Sequence, residues 1–589
     1  MNKITKKIYM LPLLAATLTL GSCVETVEPT DSASSNQVNG SSESFAMLVN
    51  GLKAKMIAWD TYGSDEGSYA EALADWGYPC YMIMRDVMLD GMPTTGSSWN
   101  YQYSFEAATG LSGYSGYPYY YYYNFINNTN RILKTKTESD ATAEMKQSLA
   151  IVRTYRALCY MQLTSMYEYF KTGIAELDQK AEANGVMGLT VPLVTETTTP
   201  EESKNNPRVP FYKMYRFIHN DLAIAEQNIG NYERTEKNDI NKDVINGMMA
   251  RFWLTAATRF DRQPDDLAAQ VQHEQDEDGL QPLGITTAND CYKKATEYAQ
   301  KVINAGYLPV TESEWNDASS GFNTANQAWV WDLKYSSTEQ TPRYWCTLTG
   351  IYASEPTWAM PAYSGEYRCI SKALYDKIGK GDWRKNSWVA PEDAGSQTVP
   401  AKYQTKLANE TSASLSANTN WSRLPAYANL KFRAAGGNMD VEDDGLLVTV
   451  PLMRVEEMYF ILAEAKAHTQ NVEAGKMVLT DFMNTYRYTD GSYQCAATDM
   501  DTFIKELMVQ KRIEFWGEGL VYFDRKRLGM RIQRYYDGSN YPASAQLNSK
   551  EGKVAPWLNY YIYDYERDQN TAVVLNPDPT NAATSQTDY

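Results

Sequence analysis

Apolar positions recur at three- and four-residue steps along much of the chain, most clearly at Val152, Tyr155, Cys159, Leu163, Met166 and Phe170. That spacing gives one continuous apolar face and predicts an amphipathic helix, in which Cys159 is a small buried hydrophobe. Residues 119–133 predict another. The run Tyr119 to Tyr123 continues into Phe125, Ile126, Ile132 and Leu133, so its tyrosines read as helix packing, with a sugar-binding tyrosine ladder as the alternative. The polar link 134–142 makes these two helices an antiparallel hairpin. The arrangement returns at 211–229 and 244–260, at 292–303 closed by Gly306, and at 452–467, 474–486 and 503–516. Residues 45–59 predict the first helix. Hairpins sharing apolar faces predict a mainly α fold, a tetratricopeptide-like helical-hairpin stack in which each unit is stable only against its neighbours. The tetratricopeptide sequence signature itself is absent.

Two stretches break the period. Residues 63–116 read as loop, with Arg85, Asp86, Asp90, Trp99 and Asn100 among glycines and prolines. Between 306 and 450 the tryptophans Trp315, Trp329, Trp331, Trp345, Trp358, Trp383, Trp388 and Trp421 stand among Gly, Pro, Ser and Asn. An irregular insertion of that length is functional or disordered, and its aromatic content argues against disorder. The expected organisation is a single body over 45–589, with hairpins at 119–304 and 451–529 around a loop-rich, aromatic-rich insertion at 306–450.

The amino terminus has its own pattern. Lys3, Lys6 and Lys7 precede an apolar run over 8–20 that is too short to span a bilayer comfortably, as in a secretory signal. Leu20-Gly21-Ser22-Cys23 resembles the lipobox of bacterial lipoproteins. The resemblance implies a signal peptide over 1–22, lipid on Cys23, and a flexible tether over 23–44, where Ser, Asn, Thr and acid dominate. Each buried methylene of the lipid contributes roughly 0.8 kcal/mol to anchoring.

The formal charge of −17 would repel phosphate backbones and argues against a nucleic-acid ligand. Aromatic residues make up 13% of the chain, with 45 tyrosines and 14 tryptophans, whose flat apolar faces and polar tips suit a helical core and sugar rings equally. No Cys-x-x-Cys spacing is present, which argues against a zinc site. His219, His273 and His468 are the only histidines and lie far apart, leaving little material for a histidine-based centre. Residues 274–279 mimic the start of an EF-hand loop, but Ile285 stands where a bidentate Glu is required. A solvated acidic loop is the better reading and calcium the lesser one; no cofactor or metal ligand is expected.

The sharpest motif is Lys511-Arg512-Ile513-Glu514-Phe515-Trp516-Gly517-Glu518-Gly519, continuing to Tyr522-Phe523-Asp524 and Lys526-Arg527-Leu528-Gly529. With it stand Pro451-Leu452-Met453-Arg454-Val455-Glu456-Glu457, then Leu462-Ala463-Glu464-Ala465; Arg153-Thr154-Tyr155-Arg156-Ala157-Leu158 with Val191-Pro192-Leu193; and Arg208-Val209-Pro210 with Asp221-Leu222-Ala223. In this order they resemble the signatures of the SusD-like (SusD/RagB) family of Bacteroidetes outer-membrane lipoproteins. Lys511 stands where that family usually has Glu, and the tract between Phe170 and Val191 is inserted. The residues also have a plain physical reading. Arg454, Glu457 and Glu464 fall near one helical face, where they can pair with charges of the neighbouring hairpin. Arg512 and Glu514 can do the same, and Gly517 and Gly519 permit a tight turn. Such residues fix a fold rather than perform chemistry.

The resemblance implies a lipid-anchored protein of the outer membrane, facing the exterior, that binds oligosaccharide and delivers it to a SusC-like TonB-dependent transporter. It also implies an aromatic platform on the loops after the first helices and in the long insertion. The candidates there are Trp99, Asn100, Tyr335, Trp345 and Trp358, with Arg85 as a hydrogen-bonding partner. Peptide capture is the alternative reading. A glycosidase is the lesser one, since it needs two carboxylates a few ångströms apart across a cleft and no motif supplies them. No catalytic residue is expected.

Overall fold

A computed structural model describes residues 41–57, 77–95, 115–335, 348, 352, 366–409, 421–433, 436 and 447–580. Its principal helices are α1 (Ser42–Ile57), α2 (Tyr78–Val87), α3 (Gly116–Thr135), α4 (Ala143–Tyr167), α5 (Phe211–Ile229), α6 (Lys242–Arg262), α7 (Ala288–Ile303), α8 (Val455–Thr469), α9 (Val472–Tyr486), α10 (Met500–Glu514) and α11 (Val521–Arg527). From α3 through α10 each of these helices packs on the next, and α1 lies across α3 and α4. This is the hairpin stack expected from the periodicity, with local reasons at the helix starts. Thr142, Asn241 and Asn471 accept backbone N–H groups at the first turns of α4, α6 and α9, and Thr287 with Asp290 forms a reciprocal capping box on α7. Where α9 crosses α8 there is room only for glycine: a Cβ on Gly475 would come within 2.6 Å of the Ala463 carbonyl oxygen.

The long insertion is an excursion from this stack. α7 ends at Ile303 and α8 begins at Val455, yet the two pack directly on each other. The chain leaves along β3 (Trp329–Lys334) and returns along β4 (Thr449–Arg454), paired antiparallel with Trp329 opposite Arg454 and Lys334 opposite Thr449. A second short pair, β1 (Leu189–Pro192) with β2 (Arg208–Pro210), closes the link between α4 and α5.

Two expectations are corrected. Residues 78–87 form α2 rather than loop; every residue of α2 is buried, Arg85 and Asp86 included, and Pro79 sits in the first turn, where proline is tolerated. The helix expected from Leu452 begins only at Val455, because 449–454 is a strand buried on both faces. The tyrosine run is core: Tyr119, Tyr121 and Tyr122 are buried in α3, and the Tyr123 hydroxyl donates to the Pro192 carbonyl at 2.6 Å. So are Trp315, Trp329, Trp331, Trp388 and Trp421. Burial pushes the thiols of Cys291 and Cys369 up to about 12. No helix among the described residues is long and apolar enough to cross a membrane.

Candidate ligand-binding region

The sharpest motif closes α10, and its charges knit the insertion to the stack. Glu514, the last residue of α10, receives Arg384 at 2.8 Å, Arg487 at 2.8 Å and Arg454 at 3.0 Å. Glu518, just beyond, receives Arg454 at 2.9 Å and Lys431 at 2.6 Å. Arg384 also pairs with Asp382, and Arg454 with Glu456. All of these side chains are sealed from solvent, and the cations lie against rings: Arg454 is 4.7 Å from the Phe515 centroid and Lys431 is 4.4 Å from that of Phe322. Burial raises a carboxylate, but Arg487, Arg454 and Arg384 win at Glu514 and hold it well below the usual range. At Glu456 burial prevails and its carboxyl is raised. Lys431 moves the other way, lowered by burial to about 8. Arg384 and Lys431 come from the insertion, Arg454 from β4 and Arg487 from the end of α9, so the cluster holds four chain segments on one helix end.

The same helix end holds the loop after α2. Arg512 reaches Asp90 at 2.6 Å, the Trp516 indole N–H donates to the Gly91 carbonyl at 2.9 Å, and the Gly519 N–H donates to Asp86 at 2.9 Å. Gly519 has φ +66°, and a Cβ there would come within 2.6 Å of the Met82 backbone. Burial raises Asp86 to about 7, against the lowering by the Gly519 N–H and Arg85. The charged motif pairs with the neighbouring hairpins as well: Glu457 with Arg251 of α6, and Glu464 with Arg527 of α11.

Among the expected binding residues, Arg85 is corrected. It is fully buried in α2, donating to the Gly519 carbonyl at 2.8 Å, Gln162 at 3.0 Å and Tyr122 at 3.2 Å, so its donors serve the core and not a surface. Tyr335 is 3% exposed and continues the β3–β4 ladder through its N–H to the Val448 carbonyl at 3.1 Å. Its ring packs in the core, so as described it is not on a binding surface. Trp99, Asn100, Trp345 and Trp358 lie outside the described residues, as does the lipidation candidate Cys23.

The anchors of the segments that carry those residues do lie together. Residues 91–95 run beside 367–371, with the Thr95 N–H donating to the Tyr367 carbonyl at 3.2 Å and the Cys369 N–H to the Pro93 carbonyl at 3.0 Å. Leu348 and Tyr352 are buried, and the Tyr352 ring is 5.9 Å from that of Trp516, the residue bonded to Gly91. Asn429 fixes the same point, donating to the Tyr352 carbonyl at 2.8 Å. Further along, Asn409 donates to the Gly436 carbonyl at 2.9 Å. Lys431 and Asn429 stand in no motif of the sequence; only the burial of 428–432 reveals them.

In the acidic loop at 274–278, Glu274 and Asp278 serve protein donors. Glu274 accepts from Gln270 at 2.7 Å and from the Gly284 N–H at 2.8 Å, and Asp278 pairs with Arg216 at 2.7 Å. No cluster of three or more metal-ligating side chains occurs among the described residues.

Three comparisons bear on this arrangement. The family model described as the SusD family matches residues 286–588, just over half of the chain. Among solved structures, a SusD-like carbohydrate binding protein from Bacteroides vulgatus has a TM-score of 0.62 at 20% identity, covering 91% of this chain and 97% of its own. A SusD superfamily protein from Bacteroides thetaiotaomicron scores 0.61 at 18% identity, covering 91% and 100%. One from Parabacteroides distasonis scores 0.58 at 16%, covering 91% and 99%. At these identities the structural likeness establishes the fold. No curated protein matches the sequence.

Proposed function

The chain belongs to the SusD family, and from that premise we propose that it is a surface lipoprotein that captures oligosaccharide and passes it to a SusC-like TonB-dependent transporter. The observation that carries the reading is the shared anchorage around Trp516. Gly91 and Tyr352, from the two regions that carry the candidates, both meet Trp516 just beyond α10. On this reading Trp99, Trp345 and Trp358 supply the apolar faces that match the C–H faces of sugar rings, with Asn100 supplying hydrogen bonds. The likeness to a carbohydrate binding protein supports sugar as the ligand class.

The role is capture without bond cleavage. Glu456 and Glu514 of the α10 cluster are sealed beneath aromatic rings and paired with arginines, and Glu168 and Asp266 are both held by Arg259, whereas a glycosidase needs a pair free to act across an open cleft. A glycan array identifies the ligand and calorimetry on the mature protein tests the site. Trp99→Ala with Trp358→Ala is expected to weaken glycan binding by about 2 kcal/mol or more, roughly thirtyfold. Unchanged affinity, or tight binding to peptides alone, would sink the proposal. Lipid on Cys23 would hold this body at the outer membrane through the polar tether. Cys23→Ala should then appear as folded, ligand-competent protein in the soluble fraction; sedimentation with membranes in cells lacking the transporter would contradict the anchor.

A further inference from the structure

A cavity of about 590 Å³ opens in the helical stack, walled by the end of α4, the start of α5, the end of α6 and the segment after α11. Its volume is that of a small-molecule site. No described residue of the 306–450 insertion lines it. Two features mark its chemistry. Phe170, Phe211, Tyr212 and Tyr215 give it aromatic walls. Lys171, Arg259, Arg262, Lys526, Arg527 and Lys553 outnumber Glu168 and Asp266 along its lining, although the chain as a whole carries −17.

The carboxylates are already committed. Arg259 lies flat on Phe211, 3.7 Å from its centroid, and takes both Glu168 at 2.7 Å and Asp266 at 2.8 Å. Arg527 and Lys171 are neutralised from outside the cavity by Glu464 and Glu182. That leaves Lys526, Arg262 and Lys553 with no carboxylate partner among the described residues. Lys526 is 2% exposed, and its ammonium donates to the Met166 carbonyl at 3.0 Å and the Glu168 carbonyl at 2.9 Å. Those bonds orient the charge without neutralising it. Arg262 and Lys553 stand at the rim, exposed.

We propose that this cavity binds a small ring-shaped anion, a carboxylate or sulfate carried on a sugar or aromatic ring, with its charge among Lys526, Arg262 and Lys553 and its ring against the aromatic wall. A buried cation such as Lys526 stays charged most readily when a counter-ion shares its site. Consistent with an unfilled demand, burial lowers Lys526 to about 7, Glu168 raising it and Arg208 lowering it further.

Calorimetry with glucuronate, glucose 6-sulfate and benzoate, against neutral glucose and benzyl alcohol, tests the proposal on the full mature protein. At least one of the three anions should bind saturably, one per chain, more weakly as salt rises; which of them binds separates sugar from aromatic acid and carboxylate from sulfate. The neutral compounds should not bind. Arg262→Gln should weaken binding about three- to fivefold and its combination with Lys553→Gln roughly tenfold. Lys526→Met should abolish binding. Because Lys526 also ties down two carbonyls, its Tm is measured alongside, and the rim variants decide the matter if it unfolds. The Trp99→Ala, Trp358→Ala protein should bind these anions as the wild type does, whatever happens to its glycan affinity. Absence of binding by all three anions, equal binding of their neutral counterparts, or affinity untouched by the double rim variant would overturn the site.

Discussion

The cluster at the end of α10 and the cavity between α4, α5 and α6 are built from the same materials, arginine, lysine and carboxylate among aromatic rings, and they differ in balance. At the cluster every cation meets a carboxylate: Arg384 with Asp382 and Glu514, Arg487 with Glu514 and Glu456, Arg454 with Glu514 and Glu518, Lys431 with Glu518. At the cavity Lys526, Arg262 and Lys553 have none among the described residues. The physical reason lies in access to water. A sealed charge without a partner costs several kcal/mol, so a closed site must be neutral to persist, whereas an open one is screened by solvent or by whatever enters it. The motif residues at the end of α10 are therefore structural ones. Of the cavity's unpaired cations, Lys526 belongs to the same motif, while Arg262 and Lys553 lie outside every motif.

The comparison breaks most visibly at Glu514. Glu514→Ala would leave Arg384, Arg454 and Arg487 competing for the remaining carboxylates in a sealed space, and is expected to cost about 3–5 kcal/mol in denaturant unfolding. That is a large share of an ordinary stability of ~5–15 kcal/mol, and the anchors of the platform would loosen with it. A loss below about 1 kcal/mol would show that the cluster is looser than its geometry.

Lys406 tests the rule from the opposite side. It is 4% exposed, near Arg433 and Lys431, and its ammonium has no hydrogen-bond partner among the described residues. Burial, then Arg433 and Lys431, lower it from 10.5 to about 7. Between those values the unfolded chain binds the proton that the folded chain releases. Folding therefore bears a penalty that is absent above the unfolded value, grows as pH falls through this window and is complete below about 7. Lys406→Met removes the penalty. It should stabilise the protein by on the order of 2 kcal/mol at pH 7, with the gain shrinking toward pH 10; equal gains at both pH values would mean that packing, not charge, is responsible.

Much of the stack was legible because its helices expose one face and bury the other, and α3 to α10 fall where the apolar period puts them. The period says nothing where an element is buried all round, which is why α2 read as loop and β4 as the start of a helix. Arg85 shows the same limit in a single side chain. An arginine among loop-like residues suggests a surface, and only the folded neighbours Tyr122, Gln162 and Gly519 show that its donors point inward. The aromatics of the insertion divide in a way that composition cannot reveal, since tryptophan serves a core and a sugar platform with the same face. Trp329, Trp331 and Trp388 are core, while Trp99, Trp345 and Trp358 remain the proposed platform. The cavity left no trace in the pattern, because its lining comes from segments far apart in sequence.

The smallest effect is expected where the balance is already broken. Arg262 is exposed at the cavity rim, has no carboxylate partner among the described residues, and is lowered by partial desolvation of its inner side and by Arg527. Removing it takes away repulsion as well as solvation, so Arg262→Gln should leave unfolding stability within about 0.5 kcal/mol of the wild type, even as it weakens anion binding. Glu514→Ala should do the reverse to the fold. If Arg262→Gln instead cost several kcal/mol, the cavity cations would be part of the same structural bookkeeping as the α10 cluster, and the distinction between a closed balanced site and an open unbalanced one would fail at the residue where it is cheapest to measure.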